Sequence, residues 1–138
     1  MHKIKKQAIY KNLGLFLDFV KNRALACGVD KRTMPDIILA VEELLVNIIS
    51  YAFPDKENGY ILLECEKDNS NRMVITITDH GIPFDAVAAQ DPDVSTPIAE
   101  RGIGGMGIFL AKNVVDELTY KRKGNSNILT IKKSIKVG

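Results

Sequence analysis

The sequence of 138 residues has few of the features that mark a membrane-bound or disulfide-stabilised protein. It has no tryptophan and two cysteines, Cys27 and Cys65, which lie far apart and outside the paired Cys or His spacing of a zinc site. They are typical of small buried side chains in a reducing compartment, and a disulfide is not expected. No apolar run approaches the roughly 20 residues that cross a bilayer, and no hydrophobic region follows the basic N-terminus. We therefore expect a cytoplasmic protein with no membrane partner.

An excess of charge of one sign is also missing. The chain has 19 Lys and Arg against 17 Asp and Glu, a formal net charge of +2. This balance argues against direct nucleic-acid binding through bulk electrostatics. With 46% hydrophobic residues and neither an internal repeat nor a linker between apolar segments, the sequence predicts a single globular domain over residues 1–138.

Hydrophobic periodicity predicts the order of the elements. In chain order we expect a strand at 4–9, a helix from Leu13 that stops at Gly28, a helix from Pro35 to about Tyr51, a hairpin of 60–67 and 72–79, a helix at 105–118 and a hairpin of 118–122 and 127–136. The irregular stretch 81–104 contains three prolines and one predicted short helix at 84–89. Its length is typical of a lid, which we place at 86–104. Segregated helices and hairpins predict an α+β fold, a two-layer α/β sandwich with helices on one face of a mostly antiparallel sheet.

The first candidate site residues lie in the second helix. Glu43 and Asn47 are four positions apart and share a helical face, whereas Glu42 points about 100° away. Both side chains offer oxygen ligands for a hard cation such as Mg²⁺, and a carboxylate can also accept a proton. An ordinary exposed pair is the alternative. The apolar neighbours Leu44 and Ile48 favour a functional site over that alternative.

The second candidate is Asp79 with Gly81, where an apolar strand ends. An aspartate can accept a hydrogen bond from an exocyclic amine such as that of adenine, and glycine lets a flat ring approach the backbone. An isolated Asp-x-Gly is more often only a turn that ends a strand.

The third candidate is a glycine-rich run directly before a helical pattern. It is made of Arg101, Gly102, Ile103, Gly104, Gly105, Met106 and Gly107. Glycines expose backbone N–H groups to phosphate, and the following helix directs the positive end of its dipole to the same place. A flexible hinge is the alternative. The run is not a Walker loop, and no strand leads into it as in a Rossmann motif.

In this order, Glu43-x-x-x-Asn47, Asp79-x-Gly81 and Gly105-x-Gly107 resemble the N, G1 and G2 boxes of the GHKL ATPase superfamily, which includes gyrase, histidine kinases and anti-sigma factor kinases. The resemblance implies the histidine-kinase-like ATPase fold. The small size and the segments 97–110, 115–120 and 127–130 most resemble bacterial serine-protein kinases that act as anti-sigma factors.

The resemblance also implies roles for individual residues and the cofactors ATP and Mg²⁺. Asn47 would coordinate Mg²⁺, Glu43 would be the general base and Asp79 would hold the adenine amine. Thr130 would face the site and reach adenine through water. The remaining nucleotide contacts would come from Gly81, Arg101, Gly102, Gly104, Gly105, Met106 and Gly107, with Arg101 at the terminal phosphate.

The reaction implied is phosphoryl transfer from ATP to a serine of an anti-anti-sigma protein, by a kinase that also binds a sigma factor. A nucleotide-gated binding module without kinase activity is the alternative. Neither His2 nor His80 lies on a dimerising helix, so a sensor histidine kinase is not expected. Whether the chain forms a homodimer stays open.

Overall fold

The computed structural model describes residues 2–54, 59–83, 85 and 105–135. Within these ranges the chain forms three α-helices and five β-strands in the predicted order. The elements are β1 (Lys3–Gln7), α1 (Leu13–Ala26), α2 (Met34–Tyr51), β2 (Tyr60–Lys67), β3 (Arg72–Asp79), α3 (Gly105–Val114), β4 (Glu117–Lys123) and β5 (Ser126–Ser134), with a short 3₁₀ turn at Tyr10–Asn12. The lid predicted at 86–104 and, apart from Asp85, the short helix predicted at 84–89 lie outside the described residues.

The strands form one antiparallel sheet in the order β1-β2-β3-β5-β4. Side chains alternate between the two faces of a strand, and in β3 every second residue from Met73 to Asp79 is buried while the residues between are partly exposed. The buried face packs against the helices, around fully buried side chains such as Phe16 of α1 and Leu44 of α2. The predicted two-layer α+β sandwich is confirmed.

The turn between α1 and α2 depends on Gly28. Its φ of 90° is a backbone conformation that side chains other than glycine rarely adopt. The N–H of Gly28 donates to Leu25 O at 3.1 Å, and the N–H of Val29 donates to Ala24 O at 3.0 Å. These bonds provide partners for backbone carbonyls at the end of α1, as is common where a glycine follows a helix. The chain then turns toward α2.

The helix α3 is shorter than predicted. It ends at Val114, and Leu118 belongs instead to β4, where it pairs with Ile131 of β5. The ammonium of Lys133 donates to Val114 O at 2.7 Å, and a positive charge at the last carbonyls favours the helix end. Within the described part of the chain, no helix has both the length and the apolar character needed to cross a membrane.

Candidate functional site

A cavity of about 320 Å³ opens between α2, α3 and the ends of β3 and β5. Its walls are mostly apolar, and three buried polar side chains line it, Asn47, Asp79 and Asn127. Small-molecule pockets in proteins occupy about 300–1,000 Å³ and combine apolar walls with a few placed polar groups. The cavity is therefore of a size and character suited to part of a small ligand.

Asp79 is the last residue of β3 and is only 2% exposed. Its Oδ1 accepts hydrogen bonds from the backbone N–H of Gly81 at 2.8 Å and from Asn127 Nδ2 at 3.0 Å. Burial raises the pKa of Asp79 above its ordinary value, while these two hydrogen bonds and the nearby His80 and Arg122 act to lower that pKa. The cavity thus contains a buried carboxyl group held by donors on one side.

Gly81 is required by close packing against the end of α2. A Cβ built on Gly81 would lie 2.4 Å from Ala52 O, which also accepts the N–H of Ile82 at 2.9 Å. A contact that short between a side chain and backbone forces the backbone to move, so Gly81 fixes the path of the loop after Asp79. Its predicted contact with nucleotide stays a prediction.

Asn47 carries a buried oxygen that has no hydrogen-bond partner within the described residues. Its Nδ2 donates to Glu43 O at 2.8 Å, whereas its Oδ1 is buried and unpaired. An unpaired buried acceptor costs free energy on folding, on the order of 1–3 kcal/mol. Because Asn47 lines the cavity, that oxygen is available to a ligand.

The donor set fits the Mg²⁺ that the family resemblance implies. Mg²⁺ is usually held by one or two protein oxygens together with waters and substrate phosphates. Asn47 Oδ1 offers one such oxygen. The described residues contain no group of three or more His, Cys, Asp or Glu that would form a complete protein cage. Asn47 would therefore bind the cation together with a phosphate-bearing ligand rather than alone.

Glu43 lies one helical turn before Asn47, with its carboxylate against the first turn of α3. A Cβ built on Gly107 would lie 2.0 Å from Glu43 Oε2. Gly105, Met106 and Gly107 form that first turn, where backbone N–H groups have no partner inside the helix and attract anions. The fold thus brings Glu43 and Asn47 together with the C-terminal part of the glycine-rich run. Arg101, Gly102 and Gly104 lie outside the described residues.

The expectation that Thr130 faces the site is wrong. In β5 the buried residues are Asn127, Leu129 and Ile131, and Thr130 lies on the opposite face of the sheet, in register with Thr76 of β3. Side chains of a strand alternate between faces, so Thr130 cannot share a face with Asp79 while Leu129 lines the cavity.

Asn127 takes the place that was expected for Thr130. It is 4% exposed, pairs in register with Asp79 and bonds to the carboxyl group of Asp79. The signal for Asn127 was present in the sequence. It is a polar residue in phase with Leu129 and Ile131, and a polar residue among buried positions needs a partner.

Gly107→Ala is expected to preserve the fold and to displace Glu43. Alanine is favoured over glycine within a helix by about 1 kcal/mol, but its Cβ would overlap with the end of the flexible Glu43 side chain. Thermal unfolding should therefore occur at the native temperature or above, while any activity that needs the Glu43 carboxylate should fall. A lowered melting temperature would contradict this placement of Glu43.

The family described as the histidine kinase-like ATPase domain matches residues 7–133. The chain belongs to this family. Among curated relatives, the serine-protein kinase RsbW of Listeria monocytogenes is 28% identical to this chain over 127 residues. That match covers 88% of this chain and 78% of the relative. It is 33% identical over 105 residues to the anti-sigma F factor of Clostridium beijerinckii, covering 74% of this chain and 71% of that protein.

Solved structures support the fold of this ATPase domain. The histidine kinase domain of the blue-light activated histidine kinase from Erythrobacter litoralis EL346 matches with a TM-score of 0.56 at 22% identity. The match covers 89% of this chain and 61% of that chain, so the chain spans about three fifths of that domain's length. At this identity the likeness shows the fold alone. Membership of the family implies that the domain binds ATP, and its relatives named serine-protein kinase support a kinase.

Proposed function

We propose that this domain is a protein-serine kinase that acts as an anti-sigma factor in the cytoplasm. It transfers the terminal phosphoryl group of ATP to a serine of an antagonist protein and also binds a sigma factor. The names of the relatives support this proposal at modest identity, 28% for the serine-protein kinase and 33% for the anti-sigma factor. The observation that carries it is the unpaired, buried Oδ1 of Asn47 one helical turn from the carboxylate of Glu43.

ATP fits the cavity through its adenine end. The apolar walls suit a flat base, and the Asp79 carboxylate suits the exocyclic amine of adenine. The first turn of α3, with Gly105 and Gly107, offers backbone N–H groups to phosphate. Arg101, Gly102, Gly104 and Met106 complete the proposed phosphate contacts. Mg²⁺, held by Asn47 Oδ1 and the phosphates, would neutralise charge on the transferred group.

Glu43 is proposed to be the general base. The serine hydroxyl of the partner gives its proton to the Glu43 carboxylate while its oxygen forms a bond to the terminal phosphorus. The bond from that phosphorus to the bridging oxygen breaks, so ADP leaves and phosphoserine forms. Such a reaction depends on positioning and on stabilisation of charge, and the Glu43 carboxylate lies beside the first turn of α3, where the phosphates are proposed to bind.

The test is to incubate the protein with Mg²⁺ and ATP labelled at the terminal phosphate, together with an antagonist protein that carries the acceptor serine. Label is expected on that serine, and a Ser→Ala variant of the antagonist is the matched control. ATP binding without transfer would exclude the kinase and leave the alternative, a nucleotide-gated module that binds its partner. Calorimetry that detects no binding of Mg²⁺ and ATP would exclude both.

A further inference from the structure

Asn127 is the centre of a hydrogen-bond network beside Asp79. Its Nδ2 donates to Asp79 Oδ1 at 3.0 Å and to Ile82 O at 2.7 Å. A side-chain amide has two hydrogens to donate, so both are used. One residue thus joins the carboxyl group at the end of β3 to the backbone of the loop that follows.

The orientation of the Asn127 amide is fixed from the side of β4. Its Oδ1 accepts a hydrogen bond from the Tyr120 hydroxyl at 2.7 Å and from Arg122 Nη1 at 3.2 Å. A guanidinium only donates, so a flipped amide would bring its NH₂ group against another donor. Arg122 Nη1 also donates to Gly81 O at 2.8 Å, which attaches the loop to the same strand.

This network distinguishes the two oxygens of Asp79. Oδ1 already accepts from Asn127 and from the Gly81 N–H, which accounts for both of its lone pairs. Within the described ranges Oδ2 makes no hydrogen bond, and Asp79 lines the cavity. A donor that enters the cavity therefore meets Oδ2.

We propose that Asn127, held by Tyr120 and Arg122, is a positioning residue that determines nucleotide specificity. By occupying Oδ1 it presents Oδ2 as an acceptor to the amino group of a 6-aminopurine. A 6-oxopurine brings a carbonyl oxygen to the same point, where it faces the carboxylate with no hydrogen between them, so the site rejects it. The proposal rests on the proposed function, since it assumes that this cavity takes the base of ATP.

The effect of the network on the pKa of Asp79 also favours a 6-aminopurine over a 6-oxopurine. Burial raises the pKa of Asp79, and the Asn127 side chain is foremost among the groups that lower that pKa, ahead of the Gly81 N–H, His80 and Arg122. A protonated carboxyl group could donate to a 6-oxo group and would lose the discrimination between purines. Asn127 therefore also favours the ionised form that accepts from an amine.

The test compares ATP with inosine triphosphate, which differs in having an oxo group in place of the 6-amino group. Kd for each is measured with Mg²⁺ by calorimetry on the native protein and on Asn127→Ala. The native protein should prefer ATP, and the variant should lose about tenfold or more of that preference, as expected for a hydrogen bond to a charged group. Thr119→Ala, on the exposed face of neighbouring β4, is the matched control and should keep the native ratio.

A second variant keeps the proposal testable if Asn127→Ala fails to fold. Tyr120→Phe removes one donor to Asn127 Oδ1 and leaves the ring in place, so it should reduce the preference by a smaller factor. The pH profile is a further readout. In the Asn127 variant, ATP affinity should begin to fall at a higher pH than in the native protein, because the carboxyl group has lost a donor that lowers its pKa.

The outcomes separate this inference from the proposed function. If both nucleotides lose affinity equally in the variants and the pH profile does not move, Asn127 is only structural and the inference is wrong. If the native protein binds both nucleotides equally, the inference is wrong although the cavity still takes nucleotide. Absence of binding by the native protein would overturn the ATP site itself.

Discussion

Glu43→Gln is expected to reduce transfer of phosphate to serine by about 100- to 10,000-fold, the range that general bases contribute, while ATP affinity changes little. Glutamine keeps the size of the side chain and loses the ability to take a proton. The carboxylate lies against Gly107 of α3 and does not line the cavity that holds the proposed base site. Binding of the adenine end should therefore survive the change.

The measurement is single-turnover transfer from labelled ATP at saturating nucleotide, together with calorimetric Kd. Glu42→Gln is the matched control, since Glu42 precedes Glu43 in the same helix and points about 100° around its axis. That control should transfer phosphate at the native rate. An equal loss of transfer and of ATP affinity in Glu43→Gln would mean that Glu43 holds the site together instead of acting as a base.

Asp79→Asn is expected to weaken ATP binding by on the order of 10- to 100-fold, the value of a hydrogen bond to a charged group. The change preserves size, and an asparagine oxygen at the Oδ1 position can still accept from Gly81 and Asn127. The NH₂ group of the new asparagine then takes the Oδ2 position. There it would face the 6-amino group of adenine as one donor against another, whereas it could donate to a 6-oxo group. Inosine triphosphate should therefore lose less affinity than ATP, and ATP bound at native strength would exclude Asp79 as the adenine contact.

The pH dependence of ATP binding provides an independent check of Asp79. Burial raises the pKa of Asp79 and outweighs the hydrogen bonds from Asn127 and Gly81 and the nearby His80 and Arg122, which lower it. The carboxylate is therefore protonated at a higher pH than an ordinary aspartate. ATP affinity should fall as the pH drops through that raised pKa, and Asp79→Asn should lack this fall.

The contribution of Asp79 to folding stability changes with pH in the opposite direction. The folded state binds the proton more tightly, so that contribution decreases as the pH rises through the folded pKa.

The sequence predicted the fold well wherever local pattern decides it. The strand-favouring residues of 60–67 and 72–79, on either side of the turn-forming residues 68–71, predicted the observed bounds of β2 and β3. The apolar stripe of α2, with Pro35 near its start, predicted the second helix to within a residue. Glu43 and Asn47 share a face because of helix geometry alone. The helical pattern did not predict where α3 ends. Leu118 fits that pattern, but it belongs to β4 because it pairs with Ile131 of β5.

Two contacts that shape the site join distant parts of the chain, and the sequence pattern did not predict them. Thr130 was assigned to the site without the register of β5 against β3, which places Asn127 opposite Asp79 and turns Thr130 to the other face. Gly81 was expected to make room for a ring, and the structure gives a different reason, the carbonyl of Ala52 at the end of α2. The phase of Asn127 with Leu129 and Ile131 indicates a buried position, but the partner in each contact cannot be identified from a local pattern.

The position of β5 inside the sheet has a consequence for how the site forms. Asp79 and Asn127 are 48 residues apart in the chain, yet they must meet before the carboxyl group is held by its donors. A contact of this separation requires the closure of a long loop, and the entropy of that loop is lost before the contact compensates for it. The contact between Asp79 and Asn127 is therefore made only when β5 of the C-terminal hairpin has paired with β3. If the cavity binds ATP as proposed, and only when this hairpin is paired, ATP should stabilise the paired form by RT ln(1 + [ATP]/Kd), so we expect the hairpin to be held more tightly as the ATP concentration rises.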